Sequence, residues 1–424
     1  MKPSLVSLFL FLSYLLVILV PSFGSFDIIG PQWFIVSFLN LLSFVHILIF
    51  LNFNESLKTF KKDTSVRILL SFFILAFVSL AWSSNWTLWL QDISRLFSFI
   101  LMTFSMIFLL KSFKVKIIPY FFLLVLSIES IWSMWYFLES FVDIGFSIFD
   151  AESFDVNFFK GVAGNKNITA ASLLLKFAFS TYFIFSKNVH TITRIGTFLI
   201  LTLSLISVFI LSARASFVSL ILISIYLTII FFLDFLKSKK MNVYGLILYF
   251  SIIFCAFIIS NSFLPDSSNK TLERVASIEL SNQSSSNRLE LWQNVFDQLQ
   301  HTPLLGVGLG SWKIVSAKYW SNYGGDYLVP YHAHNDFLEV LVELGILGGI
   351  FYGLYFSISF FRVFLNYIRG NTNPILLTSI ILSFIVYFVD AFFNFPYERP
   401  IMQSSLSVLL ALSFYYNTKD FYAK

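Results

Sequence analysis

Tyr331-His332-Ala333-His334-Asn335-Asp336 runs without interruption into FLEVLVELGILGGIFYGLYFSISFF, residues 337–361. The second part is an apolar run of the length a helix needs to cross about 30 Å of hydrocarbon, and the first is a polar hexapeptide at its mouth. The junction places a titratable imidazole at the edge of a bilayer and predicts a membrane protein with its chemistry at one membrane face.

Composition carries this reading to the whole chain. Of 424 residues, 57% are hydrophobic and 12% charged, with a mean hydropathy of +0.80. That leaves too little polar surface to cover a soluble globule. Apolar stretches recur near 4–20, 32–52, 67–82, 91–110, 117–137, 168–186, 193–211, 215–234, 243–262, 336–361, 373–391 and 399–417. The fold class expected is therefore an all-α polytopic membrane protein of about twelve spans, a single integral membrane domain over residues 1–424; the length of the runs excludes a barrel.

Charge sets the orientation. Lys58, Lys61 and Lys62, Lys111, Lys114 and Lys116, Lys187 and Arg194, Lys237, Lys239 and Lys240, and Arg362 and Arg369 all fall on one side of such a layout, with Lys2, Lys419 and Lys424 at the termini. The opposite connections are poor in Lys and Arg or acidic, as at Asp143, Asp150, Glu152 and Asp155, so both termini are expected in the cytoplasm. The net charge of +5 is this topology signal and calls for no nucleic acid. The apolar run after Lys2 outlasts a secretory signal core and reads as the first span. Cys255, the single cysteine, falls inside the ninth span as a small apolar residue.

Two external segments are large enough to carry chemistry. Residues 138–167 end in the Gly161–Asn167 turn cluster before the sixth span, and residues 263–335 form a long polar loop between the ninth and tenth spans. In that loop Asn287-Arg288-Leu289-Glu290 opens an amphipathic helix, with Asn287 as cap and an apolar face of Leu289, Leu291, Trp292, Val295, Phe296 and Leu299. Arg288 falls in the first turn, where the helix dipole disfavours a cation, so an anion bound there is the functional reading and a solvated surface arginine the bland one. Arg214, in a very short external turn between two spans, is either a snorkelling residue or a cation held for a ligand. Lys176 and Arg95 are weaker cases, and Glu129, Asp234 and Asp390 are acids without an evident partner. Gly306-Val307-Gly308-Leu309-Gly310 reads as a tight turn rather than a phosphate cradle.

Asp336 with Glu339 reads as a cap and its box partner, which leaves His334 just outside the tenth span, able to accept a proton at neutral pH. The spacing of His332, His334 and the nearby acids matches no standard zinc pattern, and no metal or other cofactor is expected. Gly345, Gly349 and Gly353, at intervals of four, read as a stripe for close helix approach.

His334-Asn335, nine residues, then Gly345-x-x-Gly348 resembles the H-[NSQ]-x9-G-x-x-G motif of the O-antigen ligase and Wzy polymerase superfamily. Asn167, Ser212-Ala213-Arg214, and Asn287-Arg288-Leu289-Glu290-Leu291-Trp292 with its glycine-rich sequel extend the resemblance over about residues 160–350. It implies a GT-C-like fold in the bacterial inner membrane, with the active site facing the periplasm. It also implies metal-independent, inverting transfer of a glycan from undecaprenyl pyrophosphate to an acceptor hydroxyl. By motif, Arg214 and Arg288 would bind the pyrophosphate and His334 would be the general base. Asn335, Asn167 and His332 would complete the substrate site. Ala215 departs from the glycine that often follows the family's arginine.

Within the superfamily, a single dominant external loop and the absence of an R-x10-G pattern at Arg214 or Arg288, where Ile225 and Leu299 stand instead, favour a ligase acting on lipid A–core. A Wzy-type polymerase and a protein O-oligosaccharyltransferase are the enzymatic alternatives, and a lipid-linked glycan transporter the non-enzymatic one.

Overall fold

The structure, a computed structural model, describes residues 3–25, 27–51, 53–143, 160–187, 189–238, 243–263, 288–320, 331–370 and 373–418. Among the described residues every regular element is helical. In chain order these are α1 (Pro3–Leu15), α2 (Ile29–Phe50), α3 (Phe53–Lys62), α4 (Thr64–Val78), α5 (Trp86–Leu109), α6 (Ile118–Asp143), α7 (Lys166–Ser180) and α8 (Tyr182–Phe185). Then follow α9 (Thr191–Leu211), α10 (Arg214–Ser238), α11 (Val243–Phe263), α12 (Arg288–His301), α13 (Trp312–Val315), α14 (Ala317–Trp320), α15 (Asp336–Ile368), α16 (Pro374–Phe393) and α17 (Pro400–Asn417), with short 3-10 turns between them.

Among the described residues ten helices are long and apolar enough to cross a membrane, and they fall on the second to eleventh of the expected spans. The first expected span is a shorter apolar helix, Ser4–Leu19. The last, α17, carries Gln403, Ser404, Ser405 and Ser407 and is buried over nearly its whole length. Together with α7, in which every residue from Ile168 to Ser180 is buried, it forms the centre of the bundle. Around them, α15 packs on α4, α17 on α5, α16 on α7 and α10, and α9 on α11. The sequence reading passed over α3, a short amphipathic helix carrying Lys61 and Lys62 in its last turn.

Caps set where the helices begin. The side chains of Asp63, Asn85, Asn165 and Asn373 accept backbone N–H groups at the starts of α4, α5, α7 and α16, and so satisfy donors that the helix leaves unpaired. Asp63 also accepts from Arg362 Nη1 at 2.9 Å and Asn417 Nδ2 at 3.1 Å, which ties α4, α15 and α17 together at one end of the bundle.

The opposite end is built on a broken helix. At Gly345, φ is +65° and ψ −171°, so α15 is two helices meeting at a kink. The carbonyls of Val342 and Glu343 lose their partners within the helix and instead accept from Val307 N at 3.0 Å and Gly308 N at 2.8 Å. On the far side of the kink, Ile346 N donates to the Pro303 carbonyl at 2.9 Å. The glycine-rich loop thus threads the break and satisfies the backbone groups it exposes. A Cβ on Gly345 would overlap the Leu304 carbonyl, and one on Gly306 the Glu343 carbonyl. The stripe expected from the spacing is therefore corrected. Gly353 has nothing within 4 Å of a Cβ, and Gly349 meets only Leu341 of its own helix, so the spacing reflects a backbone break and no close pairing of helices.

Candidate active site

The loop is fastened to the start of α15 by a small second core in which Val295 of α12 and Trp312 of α13 pack with Ala333 and Val342. On α12, Leu291, Val295 and Gln298 face inward. Phe296, expected on that face, is half exposed. Trp292 Nε1 donates to the Ala333 carbonyl at 3.1 Å, which fixes the backbone between the two histidines. The expected Asn287 cap lies outside the described residues.

The cap of α15 is Asn335, whose Oδ1 accepts from Leu338 N at 3.1 Å, and not Asp336. Asp336, one residue into the helix, accepts from Tyr397 N at 3.0 Å through Oδ2. Glu339 does not reach back to the cap. Its Oε2 accepts from Ala333 N at 2.8 Å and its Oε1 lies 3.0 Å from His332 Nδ1.

His332 stands between two carboxylates, with Nε2 3.3 Å from Glu398 Oε2, and its ring is stacked on Phe395 at 4.3 Å and 17°. Burial alone would weaken its hold on a proton, but Glu398 and Glu339 outweigh that and raise its pKa to about 10. Both ring nitrogens then donate, and the side chain is an imidazolium at neutral pH.

His334 is the opposite case. It takes the left-handed conformation, φ +52°, and meets the same Phe395 ring edge-on at 5.2 Å, while its Nδ1 is buried and accepts no hydrogen bond. A non-glycine residue holds such a backbone only where its surroundings impose it. Burial, then the positive charges of Arg288 and His332, lower its pKa to about 3, so the imidazole is neutral.

Arg288 is the first residue of α12, and its Nη2 donates to Asn394 Oδ1 at 3.2 Å. Asn394 Nδ2 in turn donates to Asp390 Oδ1 at 2.6 Å, so the guanidinium is aimed through a carboxamide by a buried acid. Arg214 opens α10 two residues after Ser212, which takes the left-handed conformation, φ +50°, that ends α9. Burial, then repulsion from Arg214, lower the Arg288 pKa, with Asp390 opposing them. Arg288, far in sequence from both, thus feels the charge of Arg214 and acts in turn on His334. Asn167 sits in the first turn of α7 and its N–H donates to the Asn165 cap at 3.0 Å. No contact among the described residues joins it to the arginines.

Beneath the histidines lies a charge cluster. Lys313 Nζ is 2.7 Å from Glu398 Oε1 and 3.2 Å from Asp92 Oδ2, and Arg95 lies 3.5 Å from Asp92 and 3.4 Å from Glu398. Burial raises the Glu398 pKa, but His332, Lys313 and Arg95 overcome it and hold the carboxyl well below its ordinary value. His332, Glu339 and Glu398 offer ligand atoms within 4.8 Å of one another, close enough for a metal ion by geometry. The donor set fits one poorly. Glu398 already serves Lys313 and Arg95 besides His332, each imidazole nitrogen faces a carboxylate, and a divalent ion would stand beside the Lys313 ammonium. Lys176 finds its partner in Glu129 at 2.8 Å, inside the bundle between α6 and α7.

Sequence reading missed Phe395, Asn394, Glu398 and Lys313. Lys313 lies in the short helix α13, and the other three in the turn between α16 and α17, where an unusual density of polar groups between two late apolar runs is their one mark.

Residues 199–353 match a family model described as O-antigen ligase. A protein of Rickettsia conorii named "Putative polysaccharide ligase" is 36% identical over 73 residues, 16% of this chain and 18% of that protein. One of Rickettsia felis is 34% identical over 73 residues, and one of Rickettsia typhi 38% over 69, both with the same name. The chain thus spans less than one fifth of the length of these relatives. The family match takes in Arg214, Arg288, His334 and Gly345, the residues on which the resemblance was first drawn.

Proposed function

We propose that this protein is a membrane glycosyltransferase that moves a glycan from undecaprenyl pyrophosphate to a hydroxyl of lipid A–core, an O-antigen ligase of the bacterial inner membrane acting at its periplasmic face. The observation that carries this reading is the neutral imidazole of His334, whose buried Nδ1 has no hydrogen-bond partner among the described residues, held beside Arg288, which in turn feels Arg214. A leaving pyrophosphate needs cations and an attacking hydroxyl needs a base, and the site holds both.

In this reading His334 takes the proton of the acceptor hydroxyl while the oxygen attacks the anomeric carbon of the donor. The C1–O bond to the pyrophosphate breaks, and the charge that develops on the departing oxygen is stabilised by Arg214 and Arg288. Direct displacement inverts the anomeric centre. A base with a pKa near 3 is weak, and the donor relieves part of this. Burial, the largest cause, stays, but once the pyrophosphate neutralises Arg288 one of the two charges that oppose protonation of His334 is offset, and the imidazole gains basicity in the loaded complex. His332 and Asn335 act as positioning residues, the one by its stack on Phe395 and the other by the cap that forms the turn. Asn167 keeps the substrate-binding role that the resemblance implies, resting on its motif position alone. No metal takes part.

The test is to incubate the purified protein with an undecaprenyl-pyrophosphate glycan and lipid A–core, alongside His334→Ala, and to weigh the products. Glycan on the core from the native protein alone supports the ligase. Elongated lipid-linked glycan with the core untouched would make it a polymerase, and absence of any covalent product would return the transporter reading.

A further inference from the structure

At the same end of the bundle as His334 lies a second cleft, of about 530 Å³, which the chemistry above does not use. It opens between the connection from α1 to α2, the last turns of α6, the Gly161–Gly164 turn and Arg399. Two of its features point to a ligand. Arg399 is partly buried with its guanidinium 4.9 Å above the Phe395 ring, and its Nε is buried without a hydrogen-bond partner among the described residues. A buried donor left open is rare in a folded protein and marks a place where an acceptor belongs. Also lining the cleft, Trp132 and Tyr136, one helical turn apart, hold their rings nearly parallel, 5.9 Å between centroids and 18° between planes. Aromatic faces beside a few fixed polar groups are the walls of a site for a ligand with both apolar faces and polar edges.

We propose that this cleft is an acceptor-side saccharide subsite, seating a hexose that carries a phosphate or carboxylate, with the ring against Trp132 and Tyr136 and the anion on Arg399. The proposal rests on the transferase reading above. Its side follows from the geometry. In a displacement the nucleophile must enter opposite the leaving group. The pyrophosphate cations lie toward α10 and α12, whereas this cleft is walled by the α1–α2 connection and α6. Phe395 joins the two places, since Arg399 covers the ring at 4.9 Å while His334 touches its edge at 5.2 Å. A saccharide held in the cleft would therefore extend to His334 within the length of a short oligosaccharide. Of the acids whose charge reaches Arg399, Glu398 is paired with Lys313 and His332, Asp390 with Asn394, and Asp27 is turned to the backbone, accepting from Ile29 N at 3.0 Å and Gly30 N at 3.2 Å through Oδ1.

Binding and turnover test this separately. Three glycolipids differing only in a terminal hexose, hexose phosphate or hexuronate are titrated against the full-length protein in nanodiscs, with Arg399→Gln and Trp132→Ala in parallel. The two anionic lipids should bind about 10-fold more tightly than the neutral one, the loss expected for one charge-assisted hydrogen bond, and Arg399→Gln should abolish that preference. Trp132→Ala should weaken all three alike. Undecaprenyl pyrophosphate should not displace them. Equal binding of charged and neutral lipids, a preference that survives Arg399→Gln, or displacement by the donor lipid would each overturn the subsite. An Arg399-dependent preference in a protein that transfers nothing would instead sink the transferase reading and leave the subsite standing as an anionic-sugar site.

Discussion

His332 and His334 share one benzene ring, Phe395, yet differ in charge: the first, stacked on its face between two carboxylates, is cationic, and the second, meeting its edge beside a guanidinium, is neutral. Two residues of the same type, separated by a single alanine, have been given different chemistry by their neighbours.

His334→Ala should reduce glycan transfer by about 10²–10⁴-fold, the range for a lost general base, and leave donor affinity within a factor of a few. Product mass and a donor-lipid titration on the same preparation measure the two. A variant that still turns over at a tenth of the native rate would remove His334 from the base role.

The acid limb of kcat/KM, which reports the free enzyme, should lie well below an ordinary histidine's, because the imidazole stays neutral until about pH 3. A flat profile from pH 8 to about pH 5 is the expected result, provided the fold survives. A limb near 6.5 would mean that Arg288 and burial do not act on this ring.

For His332 the sign runs the other way. Its pKa rises from 6.5 unfolded to about 10 folded, so its contribution to stability is fully present below about pH 6.5 and is lost as pH climbs through 10. The melting temperature of the native protein in detergent should exceed that of His332→Gln at pH 6, and the gap should close toward pH 10. A gap that widens with pH would contradict the imidazolium.

Arg288→Ala should raise donor KM and lower kcat together, and Asn394→Ala should do the same more weakly by releasing the guanidinium. Because the two act as one unit, the double variant should be no worse than Arg288→Ala alone, with a coupling of about 0.5–3 kcal/mol. Full additivity in the cycle would show that Asn394 does not aim Arg288.

Gly345→Ala and Gly353→Ala separate the break from the spacing. The first forces a side chain onto φ +65° against the Leu304 carbonyl and should cost upward of about 1 kcal/mol. The second meets open space on a helix and should gain up to about 1 kcal/mol. Thermal unfolding of both reads the difference.

The two levels of information divide along particular residues. Arg288 was visible because a cation in the first turn of a helix is out of place, and Arg214 because a cation between two apolar spans is. His334 was visible because an imidazole before a membrane helix is rare. The glycines were visible too, but their spacing fitted a stripe as well as a break, and local pattern could not choose between them. Phe395, Asn394 and Glu398 carried no local signal at all.

What the sequence determined by itself is the membrane character and the position of the long spans, ten of the about twelve expected among the described residues, and it marked three side chains as candidates. These follow from hydropathy and from charges in unexpected places, which are properties of short stretches. Only the tertiary structure decided that α15 breaks at Gly345 around the 303–310 loop, that Asn335 and not Asp336 caps it, and that His332 is charged while His334 is not. Each of those outcomes depends on groups brought from elsewhere in the chain into a medium of low dielectric. There a carboxylate at 3 Å or a guanidinium nearby changes proton affinity by orders of magnitude, and an unpaired backbone group must find a partner wherever the fold supplies one.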